Sequence, residues 1–511
     1  MPPNRRDALK FMTAGAVIAA TGHSHNAKAE NMSTTASTDA SATQTPWYAK
    51  LVQGLGQEHD YKADITGTLP AGLRGTLYRN GPGLFERNGY RKGHALDGDG
   101  MIRAFDFTDG GVRFRNRFVR TSKFVAEEAA GRYLHATWGT RAPGGMLSNI
   151  GGGDVISQAG VTPVVWDGRL LAFDETGLPW SLDLETLETE GEYQVGPQAK
   201  RPAYKAHTKF DVKTGEWLLV GNAYGRTMDL FVVIYGADGR MRSSVRLDSP
   251  RMTYIHDFFA TERYVIINLH AVEFSPFAML AGMKTFTESL TWSPQQGNLV
   301  MIVDKNGGDP VLIEAPASWM WHALNAYEAD GDIVAEFVGY DTPDHFIGDD
   351  PTLTAIMSGR AGRQTSPGTL RRWHIDLSAR RLTEETLDSG HFEFPIVDPR
   401  VANHQHQVGY LATSGQNGDW WHGATARIDM ASGRKETFDF GHRFYAGEPV
   451  FAADPDGGVD QGWLLVEVFD GNTERSSIAV LDAERPADGP VAIVRLQHHL
   501  PLSFHGMWHA A

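Results

Sequence analysis

The sequence predicts an all-β chain folded as a β-propeller. Three observations carry that prediction. Units of strand, Asp/Gly-type turn and strand recur down almost the whole of the 511 residues. Long helical patterns are scarce, the best being residues 124–133 (FVAEEAAGRY) and 277–290. The strand grammar also runs from Trp47 to the C-terminus without an obvious internal boundary. A β-sandwich would be complete within about 100 residues, whereas a propeller adds blades around an axis. There is no WD or kelch signature, so the number of blades is not countable from repeats.

Composition narrows the class. Hydrophobic residues at 41% and charged residues at 21% are ordinary for a soluble globular protein. A net charge of −15, with no Lys/Arg stripe, argues against a nucleic-acid partner. The chain has no cysteine, which removes disulfides, thiolate metal sites and a cysteine nucleophile, and leaves His, Asp and Glu as possible ligands.

In chain order, the first informative segment is Arg5-Arg6, followed by the apolar run FMTAGAVIAATG and the small-x-small site Ala27-Lys28-Ala29. This is the pattern of a twin-arginine signal peptide over residues 1–29, too short in its apolar part to span a bilayer. It predicts export, to the periplasm in a bacterium. Twin-arginine substrates cross folded, which suits a metal loaded beforehand. Residues 30–46, a Ser/Thr/Ala tract without an apolar face, read as a disordered linker. Residues 47–511 then form one propeller domain.

Within that domain MIRAFDFTDGGVRFRNRFVRT is a hairpin with Asp109, Gly110 and Gly111 at its tip. GRLLAFDETGLPWSLDLETLETEGEYQ supplies two further strands. FDVKTGEWLLVG, LFVVIYGADGRMRSSVRL, NLVMIVDKNGGDPVLIEAP, TARIDMASGRKETFDFG and SSIAVLDAERPADGPVAIVRL repeat the pattern.

Four histidines sit in comparable short strand contexts: His207 in AHTKFD, His256 in YIHDFF, His322 in WMWHALNAYE and His505 in SFHGMW. A propeller brings one strand of each blade to a common axis, and neutral imidazole is the commonest protein ligand for iron, copper or zinc. The chain has 20 histidines, however, and other sets compete. His404 and His406 would share a strand face by its two-residue period. His498 and His499 would point to opposite faces, His509 lies near the C-terminus, and His94 precedes the turn LDGDGM. Spacing alone does not choose between these sets. A metal-bound imidazole usually gives its other N–H to a carboxylate or carbonyl. Glu175, Glu393 and Glu448 lie in apolar or tight surroundings (LLAFDETGLPW, HFEFPIVDP, YAGEPVFAADPDG) and are candidates for that role; each also reads as an exposed loop acid.

The segment RGTLYRNGPGLFERNGYRKGHALDGDGMIRAFDF, followed by RFVRTSKFVAEEAAGR, closely resembles the N-terminal signature of the carotenoid cleavage oxygenase family, which includes lignostilbene dioxygenases and the retinoid isomerohydrolase of the eye. The resemblance continues through LLAFDETGLPWSLD, AHTKFD, YIHDF, WMWHALNAYE, FEFPIVDPR, GEPVF and LPLSFHGMW, and covers Trp47 to the end. It implies a seven-bladed β-propeller with a helical and loop dome over the metal. It also implies one Fe(II) per chain on His207, His256, His322 and His505, with Glu175, Glu393 and Glu448 orienting three of those imidazoles. One departure is visible: where many members have Asn-Thr-Asn, this chain has Val161, Thr162 and Pro163, keeping only the hydroxyl.

The implied reaction is oxidative scission of a conjugated carbon-carbon double bond by O2, giving two carbonyl products. Four neutral ligands would leave neighbouring positions on an octahedral ion open, and an apolar tunnel would hold a rigid polyene beside it. Thr162, Phe274, Phe277, Met283 and Trp292 are the expected cavity or entrance residues, the last four from FSPFAMLAGMKTFTESLTW. The same stretch reads alternatively as a capping helix with a core-facing side, or as an exposed apolar face that touches a membrane interface. The passage ATWGTRAPGG resembles carotenoid and apocarotenoid cleavers. Lys123 and Tyr90 stand near places where stilbene cleavers use a lysine and a tyrosine on a phenol. A stilbene-cleaving dioxygenase is therefore the alternative enzyme, with non-oxidative chemistry of the isomerohydrolase kind as another. A non-catalytic periplasmic propeller that binds a ligand is the alternative of another class.

Overall fold

Each strand-turn-strand unit closes as an antiparallel hairpin, and seven sheets of four or five strands result. The structure is a computed structural model and describes residues 46–152, 155–197, 202–417 and 420–511. The signal-peptide expectation at 1–29 and the linker expectation at 30–46, Pro46 aside, lie outside the described residues. Thr45–Ala511 forms one compact unit by its internal contacts.

The seven sheets are the blades of a β-propeller. We number them by their innermost strands: Gly506–Ala510 in blade 1, Thr162–Trp166 in blade 2, Ala203–Asp211 in blade 3, Phe258–Ala260 in blade 4, Trp319–Ala329 in blade 5, Phe392–Ile396 in blade 6 and Phe444–Ala453 in blade 7. These strands neighbour one another around the axis. Middle strands such as Met228–Tyr235 (MDLFVVIY) are apolar on both faces because a blade lies on either side. Outer strands such as Met241–Asp248 (MRSSVRLD) alternate polar and half-buried, and their charges discourage pairing with another chain's edge.

Adjacent blades meet through separate apolar clusters. Tyr78, Ile102, Leu170 and Leu182 join blades 1 and 2, Trp217 and Leu219 pack with Leu171 and Phe173 between blades 2 and 3, and Phe259, Phe337 and Trp373 join blades 4 and 5. The ring is closed twice. Asp64–Gly67 adds to blade 7 beside Pro490–Arg495, and Gly506–Ala510 adds to blade 1 beside Gly75–Leu84. Both ends of the chain are thereby held in sheets laid down by the other end. Buried Arg79 and Arg103 reinforce the seam. Arg79 donates to the Glu448 carbonyl at 2.8 Å and to Ser503 Oγ, and Arg103 pairs with Glu467 at 3.0 Å.

Over one end of the ring lies a dome of loops and short helices, whose apolar side includes Leu51, Phe85, Trp138, Phe346, Leu353 and Ile356. Its longest helix is Ser122–Ala130, capped by the Thr121 hydroxyl and ended by Gly131 at φ 62°. That glycine stops the helix short of Tyr133, where the periodicity had extended it. The pattern at 277–290 does not give a helix of that length: Pro276–Leu280 is helical for five residues, Thr287–Ser289 is a single 3₁₀ turn, and Leu290–Trp292 pairs with Val272–Phe274. Gly282, at φ 74°, breaks the helix between them. Residues 169–192 hold three strands where two were expected, since Thr189–Glu192 adds to Trp180–Leu182.

Candidate metal centre

Four inner strands lose their register where the candidate site residues fall. The breaks lie between Tyr204 and Thr208, Met320 and Ala323, Glu393 and Ile396, and Ala446 and Pro449, and they bracket or adjoin His207, His322, Glu393 and Glu448. A bulge turns a side chain out of the pleat, so these strands aim their residues along the axis. Phe394, beside Glu393, takes φ 51°, an uncommon conformation for an aromatic residue. His256 and His505 lie one or two residues ahead of the innermost strands of blades 4 and 1, where the backbone is not committed to a ladder.

His207, His256, His322 and His505 therefore meet. One nitrogen from each lies within 4.8 Å of the others, and His207 Nε2 is 3.1 Å from His256 Nε2. His322 Nε2 is buried without a hydrogen-bond partner. Burial, then the neighbouring imidazoles His505, His256 and His322, pushes His207 well below the usual histidine range. Burial also lowers His505, against the opposing pull of Glu448. Imidazole nitrogens this close to one another suit a shared cation, which imidazole binds in its unprotonated form. All four donors are nitrogen, a set that suits iron, copper or zinc.

The three glutamates stand behind three of the rings. Glu448 Oε1 lies 2.8 Å from His505 Nδ1, Glu175 Oε1 lies 3.0 Å from His256 Nδ1, and Glu393 pairs with His322 Nδ1. Each is held in turn. The Tyr254 hydroxyl donates to Glu175 at 2.6 Å and lies 2.9 Å from His256 Nδ1; the Tyr340 hydroxyl donates to Glu393 at 2.9 Å; the Gly506 N–H donates to Glu448 at 2.6 Å. Burial alone would raise Glu393, but His322 and the Phe394 N–H outweigh it and bring it down to about 2. Buried Lys205, 4.0 Å away, and His256 likewise keep Glu175 below the usual range against burial. All three N–H donors are thus aimed backwards, leaving Nε2 of each ring for the axis. His207 differs: its Nδ1 lies 3.9 Å from Asp257, whose carboxylate is taken by Lys209 and the Ala323 N–H.

The other histidines go elsewhere. His404 and His406 precede the strand Val408–Thr413, and so do not share one face of it; they approach different carboxylates, Asp211 and Glu336, each at 3.0 Å. His498 bonds the Tyr61 hydroxyl and the His499 carbonyl, while His499 bonds the Gln53 carbonyl. His94 Nδ1 accepts from the Leu96 N–H within its turn. His509 is exposed.

A cavity opens beside the four imidazoles, with His256, His322 and His505 in its wall. Its lining is mostly aromatic and comes from the dome and the blade ends: Trp138, Trp321, Phe394, Trp420, Trp421 and Phe504. None of Thr162, Phe274, Phe277, Met283 and Trp292 lines it. Val161 does, while the neighbouring Thr162 hydroxyl is buried without a partner. Phe274 is packed in the dome beside Phe286, and Trp292 is half-buried at its edge. Phe277 is 78% exposed on a helix too short to present a full inner face, and Met283, 48% exposed, lies beyond that helix after Gly282. The aromatic wall was missed because its residues come from separate strands and loops far apart in the chain. The only local sign of it was the WMWH and DWWH clustering of tryptophan with histidine.

Lys123 and Tyr90 do not reach this cavity. The Lys123 ammonium lies 2.5 Å from Asp99 and 2.8 Å from Glu127, all buried, and Tyr90 is partly exposed, its hydroxyl donating to the Arg141 carbonyl at 3.3 Å.

Residues 53–510 match the family model described as retinal pigment epithelial membrane protein. Among curated proteins, the apocarotenoid-15,15'-oxygenase of Synechocystis is 30% identical, over 89% of this chain and 94% of its own. The isoeugenol monooxygenase of Pseudomonas putida is 29% identical over 88% and 94%, and a resveratrol cleavage oxygenase of Chaetomium globosum is 27% identical over 87% and 84%. A solved structure of a Synechocystis apocarotenoid oxygenase variant superposes with a TM-score of 0.85 at 28% identity, covering 91% of this chain and 98% of that one; a cobalt-substituted form of the same oxygenase gives the same figures.

Proposed function

Because the chain belongs to the carotenoid cleavage oxygenase family, dioxygenases that cleave carbon-carbon double bonds, we propose that it is an Fe(II) enzyme that splits a conjugated double bond of a carotenoid or apocarotenoid into two carbonyl products. The observation that carries this reading is the meeting of four imidazoles from four blades beside an apolar cavity. The non-catalytic alternative has no support from the relatives named here, all of which are oxygenases by name.

In this reading His207, His256, His322 and His505 hold the iron. Bound there, ferrous iron supplies the one-electron access to triplet O2 that side chains lack. The protein's part is positioning. Glu175, Glu393 and Glu448 fix three rings with Nε2 toward the axis, and Tyr254 and Tyr340 fix two of those carboxylates. The walls of Trp138, Trp321, Phe394 and Phe504 exclude water and keep a flat conjugated chain beside the imidazoles, so that position along the cavity selects the bond.

A carotenoid-type substrate is supported by the 30% identity with an apocarotenoid oxygenase and by the engagement of Lys123 with Asp99 and Glu127. The stilbene alternative is supported by the relatives named for resveratrol and isoeugenol. Loss of polyene absorbance, followed with an apocarotenal and with a hydroxystilbene in air and under argon, tests substrate and O2 dependence together. His256→Ala should lose iron and activity while the β circular dichroism survives; activity without iron would refute the assignment.

Membrane contact forms part of the proposal. Met146, Leu147, Ile150, Phe277, Leu280 and Met283 are all about half or more exposed, and their two segments are bridged by the Gly151 N–H to Leu280 carbonyl bond and an Ile150–Ala281 bridge. Such an apolar patch suits a lipid interface, from which a lipophilic substrate would be drawn. Among the described residues no helix is long and apolar enough to cross a membrane. Export by the twin-arginine route, read from Arg5 and Arg6, completes the proposal.

A further inference from the structure

Four residues of the cavity wall carry a buried side-chain nitrogen without a hydrogen-bond partner. One of them, His322, belongs to the metal centre. The other three, His345, Trp420 and His422, are neighbours. The Trp420 ring centroid lies 5.9 Å from that of His345 and 6.3 Å from that of His422. The unpartnered atoms are His345 Nδ1, Trp420 Nε1 and His422 Nε2.

Their chemistry is partly fixed. Trp321 Nε1, which can only donate, lies 2.5 Å from His345 Nε2, so that nitrogen accepts and the neutral ring carries its proton on Nδ1. Burial lowers His345 to about 4 and His422 to about 3, and both rings are neutral at pH 7. His345 Nδ1 and Trp420 Nε1 are therefore two N–H donors in an otherwise apolar wall, with a third ring nitrogen beside them. A buried donor left unpaired costs about 1–3 kcal/mol. Two such donors and a third unpartnered nitrogen in one corner are more than packing requires.

We propose that His345, Trp420 and His422 form a polar recognition site for an oxygen atom on the substrate, a carbonyl or hydroxyl oxygen lying away from the bond that is cut. The proposal rests on the oxygenase reading for the cavity's use and adds to it that the substrate is an oxygenated molecule, not a bare hydrocarbon. Two donors favour an acceptor oxygen, which an apocarotenal aldehyde and a stilbene phenol both offer.

The test measures ligand binding by quenching of tryptophan fluorescence in the metal-loaded protein without O2. It uses two matched pairs: an apocarotenal with the hydrocarbon polyene of equal length, and 4-hydroxystilbene with stilbene. The oxygenated member of at least one pair should bind about tenfold tighter, and the pair that discriminates identifies the oxygen source. In His345→Leu and in His422→Leu the ratio should fall close to one. His345→Gln should keep most of it, since its carbonyl can accept from Trp321 and its amide can still donate. If His345→Leu fails to fold, Trp420→Phe removes the second donor without touching Trp321 and should lower the ratio likewise. Equal binding within both pairs, or a ratio that survives in every one of these variants except His345→Gln, overturns the proposal. Turnover is read separately after O2 is admitted: binding preference without cleavage would sink the oxygenase reading and leave this contact standing.

Discussion

His505 Nδ1 lies 2.8 Å from Glu448 Oε1, although 57 residues and a blade boundary separate the two in the chain. The second carboxylate oxygen is held by the Gly506 N–H, so ring and acid are fixed by the same closing strand. Glu448→Gln keeps the shape but removes the charge that strengthens the imidazole as a donor. The expected result is a 10- to 100-fold loss of iron affinity with an unchanged circular dichroism spectrum. Competition against a chelator measures it, and an unchanged affinity would show that the carboxylate only fills space.

Asp99 offers a test of pH-dependent stability away from the metal. It is buried, pairs with Lys123 at 2.5 Å and with Arg87 at 3.1 Å, and burial, which would raise it, is outweighed by Lys123, Arg87 and Lys92. Its folded pKa therefore lies below the ordinary 3.8. A depressed carboxylate contributes its full stabilisation above its unfolded value and loses it as the pH falls through the folded value. Asp99→Asn should destabilise the protein at pH 7 by less than the roughly 3–5 kcal/mol of a fully unpaired buried charge, because Lys123 loses one of its two carboxylates and keeps Glu127. The difference between the two proteins should persist down to about pH 5 and shrink below about pH 4. Denaturant midpoints measured at a series of pH values check it; a gap that widens in acid would contradict the pairing.

The same residues show what was legible in the chain and what was not. Strand pairs were readable because Asp/Gly turns and period-two apolarity are local signals, and the hairpins read in FDVKTGEWLLVG and LFVVIYGADGRMRSSVRL close where those signals put them. The four histidines were marked by local context, but convergence is a property of the ring, and His404 and His406 looked as good by spacing. LDGDGM reads as a loop signature; in the structure Gly100 sits so near the Gln158 and Ala159 carbonyls that a Cβ would lie 2.4 Å from each oxygen, and Asp99 anchors Lys123. Much of the motif that carries the family resemblance is thus packing. The cavity wall was illegible because it is assembled from separate strands and loops that share no period, and Phe277 does not reach it because a five-residue helix has too little length to bury a face.

The proposed export route is tested at Arg5 and Arg6. Replacing both by lysine keeps the positive charge but removes the paired guanidinium groups of the twin-arginine pattern. The full-length precursor should then stay in the cytoplasm, while the parent chain is recovered outside it and shortened by its signal. Cell fractionation with mass measurement decides it, and normal export of the double-lysine chain would rule the route out.

Leu147 and Phe277 test the apolar patch. They are 77% and 78% exposed, so neither contributes much to packing, and replacing both by serine should leave the unfolding midpoint within about 0.5 kcal/mol of the parent. On a membrane they would be buried in the interface, and each fully buried Leu or Phe side chain is worth roughly 1.5–3 kcal/mol. Even partial immersion of the pair then predicts at least about a tenfold fall in binding to lipid vesicles, measured by co-sedimentation. Activity should fall with substrate presented in vesicles and much less with substrate dispersed in detergent micelles, because the cavity wall is untouched. Equal loss in both presentations would place the defect in the cavity, and unchanged vesicle binding would mean that the patch faces something other than lipid.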